Sequence, residues 1–249
     1  MKCVVLAAGY ATRLYPLTEN FPKPLLKVQE KTILDWIIED LDATGFIDEF
    51  VVVSNRKFYN HFAAWLEKCN YRAKVTVLDD GTEDNEHRLG AVRDIAFAIE
   101  HCSIDEPTIV VAGDNLTDFS LKGFVEYYNA KKYTCIMRHF EPSMERLRRT
   151  GVIRIDDMDK VLEMQEKPAE PVSNWAVPPF YVYSAEDLAR ISKAVDEGLC
   201  NVDAPGDFIA WLSTQSDVYA YLMPGSRYDI GNLQSYEEIC REYRGINRV

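Results

Sequence analysis

A strict alternation of segment types constrains this chain more than any other feature of its sequence. Short apolar runs at 3–8, 50–53, 74–78 and 108–112 are separated by helical patterns at 33–43, 58–69 and 89–99. The first run, Cys3 to Ala8, contains no polar residue, as expected of a strand buried on both faces. Between the runs, Ile33, Trp36, Ile37 and Leu41 form one helical stripe, with Glu39, Asp40 and Asp42 off it and Gly45 as a stop. Phe58, Phe62, Trp65, Leu66 and Cys69 form a second stripe. Leu89, Val92, Ile95, Ala96 and Ile99 form a third. A β-α-β-α-β-α-β series predicts an α/β fold with a mostly parallel sheet flanked by helices, and ligands beyond the C-terminal ends of its strands. Further strands are expected at 133–139, 151–155, 161–165 and 175–183, and helices at 185–196, 207–213 and 233–243. This half reads as mixed β structure completing the same sheet. The expectation is one domain, 1–249, with halves at 1–130 and 131–249.

Charge narrows the partners. Forty acidic residues against 28 basic ones leave a formal charge of −12. That disfavours nucleic acid and anionic membrane surfaces, both of which need a basic face. An anionic small molecule remains open, but it needs a local cationic pocket, a metal ion, or both. No segment has the roughly 18 consecutive apolar residues of a membrane span. Nothing at the N-terminus looks like a secretory signal, so no leader is expected. The cysteines at 3, 69, 102, 135, 200 and 240 form no CxxC pair, which excludes a zinc ribbon and a thioredoxin-type motif. Such scatter suits a reduced, cytoplasmic protein. Homo-oligomerisation stays open.

Five short motifs sit where chemistry is expected. After the first strand comes Ala8-Gly9-Tyr10-Ala11-Thr12-Arg13, which is neither a dinucleotide fingerprint nor a P-loop. Gly9 allows close backbone approach and Arg13 offers a fork to phosphoryl oxygens, or the segment is a tight turn with a solvated arginine. Lys23 lies between Pro22 and Pro24, which fix its direction, so it either joins Arg13 in a clamp or points to solvent. Gly113-Asp114-Asn115 follows a buried run, where a carboxylate suits Mg²⁺ or a turn that caps a helix. Glu166-Lys167-Pro168 ends a strand pattern. Arg227-Tyr228-Asp229-Ile230-Gly231 precedes the last helix, where Asp229 is a metal ligand or an N-cap.

Taken in order, LAAGYATRLYPLTENFPKPLL, GDN, GVIRI, EKP, NWAV and YDIG resemble the sugar-1-phosphate nucleotidyltransferases, with the glucose-1-phosphate thymidylyltransferases as the nearest comparison. The resemblance runs from Leu6 to about Tyr236. It implies a Rossmann-like sheet of the nucleotide-diphospho-sugar transferase type. It implies a Mg²⁺-dependent reaction of an NTP with a sugar 1-phosphate, giving pyrophosphate and an NDP-sugar of the kind that feeds polysaccharide biosynthesis. By this resemblance Leu6, Ala8 and Gly9 pack on the nucleoside, with Gly90 close to the base. Arg13 and Lys23 hold the triphosphate, and Arg13, Lys23 and Lys167 are the catalytic cations. Asp114 contacts the nucleotide and, with Asp229, binds Mg²⁺. Lys167 grips the acceptor phosphate, and Asn115, Gly151, Glu166 and Val177 line the acceptor pocket. A phosphate monoester is mostly a dianion at neutral pH, so no general base is required. No histidine falls in a motif, and no covalent enzyme intermediate is expected.

The chain also departs from the family pattern. Ala8, Tyr10 and Ala11 replace glycines of the first loop. Asp80, in Leu78-Asp79-Asp80-Gly81-Thr82, stands near the base-reading glutamine of thymidylyltransferases. It accepts hydrogen bonds from cytosine, uracil or thymine alike, leaving CTP, UTP and dTTP open. Pro178-Pro179 follows Val177 where a glycine is usual, so the acceptor pocket is reshaped. An acceptor such as phosphocholine or another alcohol phosphate, used by a cytidylyltransferase, is therefore an alternative. A non-catalytic nucleotide-binding regulator is the alternative from another class, against which all of Arg13, Lys23, Asp114, Lys167 and Asp229 are present. No C-terminal β-helix or acetyltransferase domain is expected.

Overall fold

The structure, a computed structural model, describes residues 1–247. The last two positions of the expected domain lie outside them. The chain forms two compact units that interleave along the sequence rather than dividing at residue 130. The first comprises Met1–Arg88, Ala112–Lys122 and the segment from Pro224 onward; the second comprises Leu89–Val111 and Gly123–Met223.

In the first unit, strands Lys2–Leu6, Glu49–Ser54 and Lys74–Asp79 are parallel, with Glu49–Ser54 in the middle. All six residues of the middle strand are buried, which explains the Phe-Val-Val-Val run. Helix Ile33–Thr44 starts at a capping box between Thr32 and Asp35 and stops at Gly45, whose φ of 77° is the left-handed conformation that glycine adopts freely. Helix Leu233–Glu242 packs Ile239 into a cluster with Leu14, Leu26, Val28, Ile33, Leu116, Ile230 and Tyr243. Burying each such side chain is worth about 1.5–3 kcal/mol. The Tyr243 hydroxyl donates to the Thr117 carbonyl at 2.8 Å. That bond ties the chain's C-terminal segment to a two-stranded ribbon of Asn115–Thr117 and Arg227–Asp229.

In the second unit, strands follow the order Val161–Glu166, Gly151–Ile155, Trp175–Val177, Thr134–Phe140, Phe180–Tyr183 and Thr108–Ala112, each antiparallel to its neighbours. Val218–Leu222 runs parallel to Thr134–Phe140. Helices Ala91–Cys102, Arg190–Asp196 and Pro205–Leu212 pack together. Parallel strands thus form the core of the first unit, and antiparallel ones build the second.

Several elements differ from expectation. The single strand expected at 175–183 is two, Trp175–Val177 and Phe180–Tyr183, because Pro178 and Pro179 cannot continue a ladder. The helix expected at 185–196 is Ala185–Leu188 followed by Arg190–Asp196. The third helix begins at Ala91 rather than Leu89, since Gly90 has φ of 93°. The second spans Tyr59–Leu66 and tightens into i→i+3 turns by Cys69.

Candidate active site

The first strand ends at Leu6, and the loop that follows is held from below. Ala7 N–H donates to the Val53 carbonyl at 2.9 Å, and the wholly buried Asn55 donates from Nδ2 to the Ala8 carbonyl at 2.8 Å. Asn55 Oδ1 accepts from the Phe58 amide, so both ends of its amide are used to fix the loop. Sequence reasoning missed Asn55; its signal was an asparagine ending a buried strand and opening a helix. Gly9 is exposed, and a Cβ there would meet nothing within 4 Å, so the space above it is open. Ala11 occupies the left-handed region at φ of 46°, a conformation suited to the glycine expected from the family pattern. Its carbonyl accepts from Thr18 Oγ1 at 2.8 Å and from the Leu14 amide at 2.9 Å, closing the short turn Thr12–Leu14 that carries Arg13. Arg13 is exposed and has no partner among the described residues.

Lys23 is not a solvated lysine. It heads the turn Lys23–Leu25 behind Pro22, is only 7% exposed, and donates from Nζ to Asp114 Oδ2 at 2.7 Å. Asp114 follows strand Thr108–Ala112, and its side chain is 38% exposed. Burial raises its carboxyl, but the charge and hydrogen bond of Lys23, with the charge of Arg227, outweigh this and hold it below the usual carboxylate range. No helix follows Asp114, which removes the capping alternative; strand Asn115–Thr117 does. That strand pairs antiparallel with Arg227–Asp229, setting Asp229 opposite Asn115 and one residue from Asp114. The N-cap alternative for Asp229 fails as well, because Asn232 caps the last helix through Ser235. The Asp229 carboxylate is exposed and unpaired among the described residues.

Asn115 requires a correction. It was expected in the acceptor pocket, but it is 2% exposed. Its Nδ2 donates to Asp114 Oδ1 at 2.7 Å, and its Oδ1 accepts from Arg227 Nη1. With both ends of its amide engaged and its side chain buried, it orients Asp114 rather than opening onto an acceptor. Arg227 opens the motif before the last helix, yet nothing in that motif shows its support of a carboxylate more than a hundred residues away.

The second unit holds the remaining candidates. Strand Val161–Glu166 ends in Glu166, and Lys167 follows at φ of 47°, an uncommon left-handed lysine that turns the chain before Pro168. The Lys167 amide donates to the Thr150 carbonyl, and its Nζ lies 3.8 Å from Asp203 Oδ2, both side chains about half exposed. Glu166 occupies a slot made by two glycines. A Cβ at Gly151 would come within 3.1 Å of Glu166 Oε2, and one at Gly206 would overlap the same atom. Burial, with the charges of Asp207 and Asp203, pushes the Glu166 carboxyl up to about 7 against the pull of Lys167. Gly206 and Asp203 were not foreseen, since a Pro-Gly pair opening a helix carries no sign of a distant glutamate. Val177 is buried, pairs with Gly151, and accepts from Thr150 Oγ1 through its carbonyl, so it packs within the sheet beside the glycine that makes room for Glu166. Gly90 is also accounted for by packing. A Cβ there would overlap the Val202 carbonyl, so the close approach it permits in this structure is that of protein backbone, not of a base.

Asp114 and Asp229 fit the expected metal. Mg²⁺ takes oxygen ligands and is commonly held by one or two carboxylates together with substrate phosphates. Asp114 has its carboxyl held below the ordinary value by Lys23 and Arg227, and Asp229 has its oxygens uncommitted among the described residues. Among the described residues no cluster of three or more potential metal ligands occurs, so the protein's share would be two carboxylates.

Comparisons with known proteins identify the family and the fold. A protein of Sulfolobus acidocaldarius assigned as a mannose-1-phosphate guanyltransferase is 28% identical over 248 residues, covering 99% of this chain and 62% of that protein. The bifunctional protein GlmU of Methanocaldococcus jannaschii is 28% identical over 194 residues, covering 78% of this chain and 42% of its own length. The chain therefore spans less than two thirds of each of these relatives. UDP-glucose pyrophosphorylase complexed with UDP-glucose has a similar structure, with a TM-score of 0.82 at 21% identity over 97% of each chain. That likeness shows the fold, a mixed α/β sheet with a parallel core flanked by helices. The family model described as Nucleotidyl transferase matches residues 2–245, and this chain belongs to that family.

Proposed function

We propose that the chain is a Mg²⁺-dependent nucleotidyltransferase that couples an NTP to a sugar 1-phosphate, giving an NDP-sugar and pyrophosphate. In this reading the whole chain, 1–249, acts as one cytoplasmic domain. The observation that carries it is the Lys23–Asp114 pair at 2.7 Å, with Asp229 set beside it by strand register. A buried lysine, an ionised carboxylate and a second free carboxylate are what a triphosphate with its metal requires. Among the described residues no helix is long and apolar enough to cross a membrane.

The acceptor phosphate is already a nucleophilic dianion near neutral pH. The task left to the protein is alignment and charge neutralisation at the α-phosphorus. Leu6, Ala8 and Gly9 face the nucleoside, and Gly9 leaves room for close backbone approach. Arg13, exposed and unpaired, folds onto the β- and γ-phosphates and stabilises the charge that develops on leaving pyrophosphate. Lys23 is fixed by Asp114 and contacts the triphosphate without searching for a rotamer. Bound through Asp114 and Asp229, Mg²⁺ would supply further charge neutralisation. Lys167 holds the acceptor phosphate, and Glu166 contacts a hydroxyl of the acceptor. Asp80 reads the base, with CTP, UTP and dTTP as the candidate donors.

One observation favours a second acceptor class. Glu166, Asp203 and Asp207 bring three carboxylates to the neighbourhood of one lysine, Lys167. That balance suits an acceptor with a cationic group, such as an amino-alcohol phosphate, and with CTP it describes a cytidylyltransferase. The deciding experiment incubates the four ribonucleoside triphosphates and dTTP with Mg²⁺ and a panel of sugar 1-phosphates and alcohol phosphates. Pyrophosphate release from one pairing is expected, and the acceptor class follows from which one. Nucleotide binding with no release from any pairing would instead identify a non-catalytic regulator.

A further inference from the structure

Asp80 has one carboxylate oxygen satisfied twice and the other not at all. Its Oδ1 accepts from the Thr82 amide at 2.7 Å and from Thr82 Oγ1 at 2.8 Å. Its Oδ2 is buried with no hydrogen-bond partner among the described residues. A buried polar atom left unpaired calls for a ligand or an explanation. The neighbouring Asp79 is not in this position, because its Oδ2 accepts from Arg56 Nε at 3.1 Å and its Oδ1 from the Gly81 amide at 2.8 Å.

The chain of donors has a fixed direction. Thr82 has one hydroxyl proton, and Asp80 takes it. The Tyr10 hydroxyl, 3.1 Å from Thr82 Oγ1 and buried, must therefore donate to Thr82. Tyr10 also belongs to the loop that begins at Ala8, where its ring packs near Phe58. The run Tyr10 → Thr82 → Asp80 thus links the nucleotide loop to the carboxylate and holds that carboxylate in one rotamer. The backbone is pinned as well, by the Asp80 amide to the Ser54 carbonyl at 2.8 Å and the Arg56 amide to the Thr82 carbonyl at 2.9 Å.

The geometry points to Thr82, backed by Tyr10, as a positioning residue that saturates one oxygen of Asp80 and leaves only the other to accept, so that a base cannot be gripped through both oxygens at once. This rests on the reading of Asp80 as the residue facing the base. A free carboxylate would grip guanine through its paired N1–H and N2–H donors. Asp80 cannot form that fork, because the two lone pairs of Oδ1 are already taken by Thr82. Cytosine, through its amino group, or uracil and thymine, through N3–H, need only the one acceptor that remains. The chain would therefore disfavour GTP, although a relative of similar sequence carries a guanyltransferase name.

The test measures equilibrium binding of CTP, UTP, dTTP, ATP and GTP by titration calorimetry to the full chain and to T82V, T82S and D80N. Thermal unfolding of each variant checks that it is folded. The wild type should bind a pyrimidine nucleotide most tightly, with GTP at least about tenfold weaker, as expected for one lost hydrogen bond to a charged group. T82V frees a lone pair on Oδ1 and should narrow the gap to GTP by about tenfold, while T82S, which keeps the hydroxyl, should restore the wild-type ratio. D80N should lose the preference for the pyrimidine nucleotide. GTP or ATP binding tightest to the wild type overturns the inference, as does a T82V selectivity equal to that of the wild type, or T82S behaving like T82V. In those cases nucleotide binding, and with it the nucleotidyltransferase reading, still stands. Failure of the wild type to bind any of the five overturns both.

Discussion

Glu166 and Lys167 are adjacent residues whose environments differ, and each yields a prediction. Lys167 is about half exposed, and its one ion pair among the described residues, with Asp203, is long at 3.8 Å, so it is free to turn to a phosphate. Lys167→Ala should raise the acceptor KM by about tenfold or more while leaving the nucleotide KM within about twofold, the loss of a charge-assisted hydrogen bond being worth roughly 1.5–3 kcal/mol. Steady-state kinetics with each substrate varied in turn will show this; equal losses for both substrates would place the lysine wrongly. Glu166 carries a stability cost. Its carboxyl lies near 7 in the folded chain against an ordinary 4.5, so the folded state binds its proton more tightly than the unfolded state. Stability is therefore greatest below the unfolded value and falls as pH rises from about 4.5 to about 7. Glu166→Gln should raise stability at pH 8 by roughly 1–2 kcal/mol, with the advantage gone by pH 5, since Gln cannot ionise. Urea unfolding at both pH values measures it, and a variant no more stable at pH 8 would contradict the burial of this charge.

Residue types at this scale were partly legible. Lys23, Asp114 and Asp229 could be picked out because prolines, a glycine turn and strand ends restrict what a charged side chain does there. Asn115 was misplaced because side-chain direction three positions past a strand end depends on Arg227, more than a hundred residues away. Gly206 was missed for the same reason, since the atom that excludes a Cβ there belongs to Glu166.

Elements show the same division between local and distant causes. The parallel strands and their helices were readable from apolar runs and from the period of the stripes. The break at Pro178–Pro179 was visible as two prolines, yet the apolar run through 175–183 concealed it. The ribbon of Asn115–Thr117 and Arg227–Asp229 has only three residues a side, too few for any periodicity, although it sets the position of Asp229. Among the parallel strands, register does electrostatic work. Glu49 on the middle strand stands opposite Lys2 on one neighbour and Lys74 on the other. Burial raises its carboxyl, but hydrogen bonds from Lys74 at 2.7 Å, Thr76 at 2.7 Å and Lys2 at 3.1 Å overcome this and bring it down to about 2. A depressed carboxyl stabilises the fold above its unfolded value and loses that contribution as pH falls from about 4.5 to about 2. Glu49→Gln should cost roughly 2 kcal/mol at pH 7 and flatten acid unfolding across that window, as seen by circular dichroism against pH. An unchanged acid transition would show that the three bonds contribute nothing.

At the scale of the whole molecule, a chain of net charge −12 is proposed to bind two anions. The acidic surplus does not forbid this if Arg13, Lys23 and Lys167 meet the substrates as proposed and a divalent ion adds to them. The order of short motifs along the chain carried more information than any one of them, and the match over residues 2–245 bears that out for the family. Base and acceptor were not legible, since both depend on how many hydrogen-bond sites are already occupied, as at Asp80 and Asn115. The central claim is that Asp114 and Asp229 share one divalent ion. Its most direct measurement is Mn²⁺ binding, followed by electron paramagnetic resonance, to the chain in the presence of NTP, compared with D114N and D229N. The account predicts one tight protein-dependent ion in the wild type and its loss in both variants. Wild-type Mn²⁺ binding retained by either variant would contradict it.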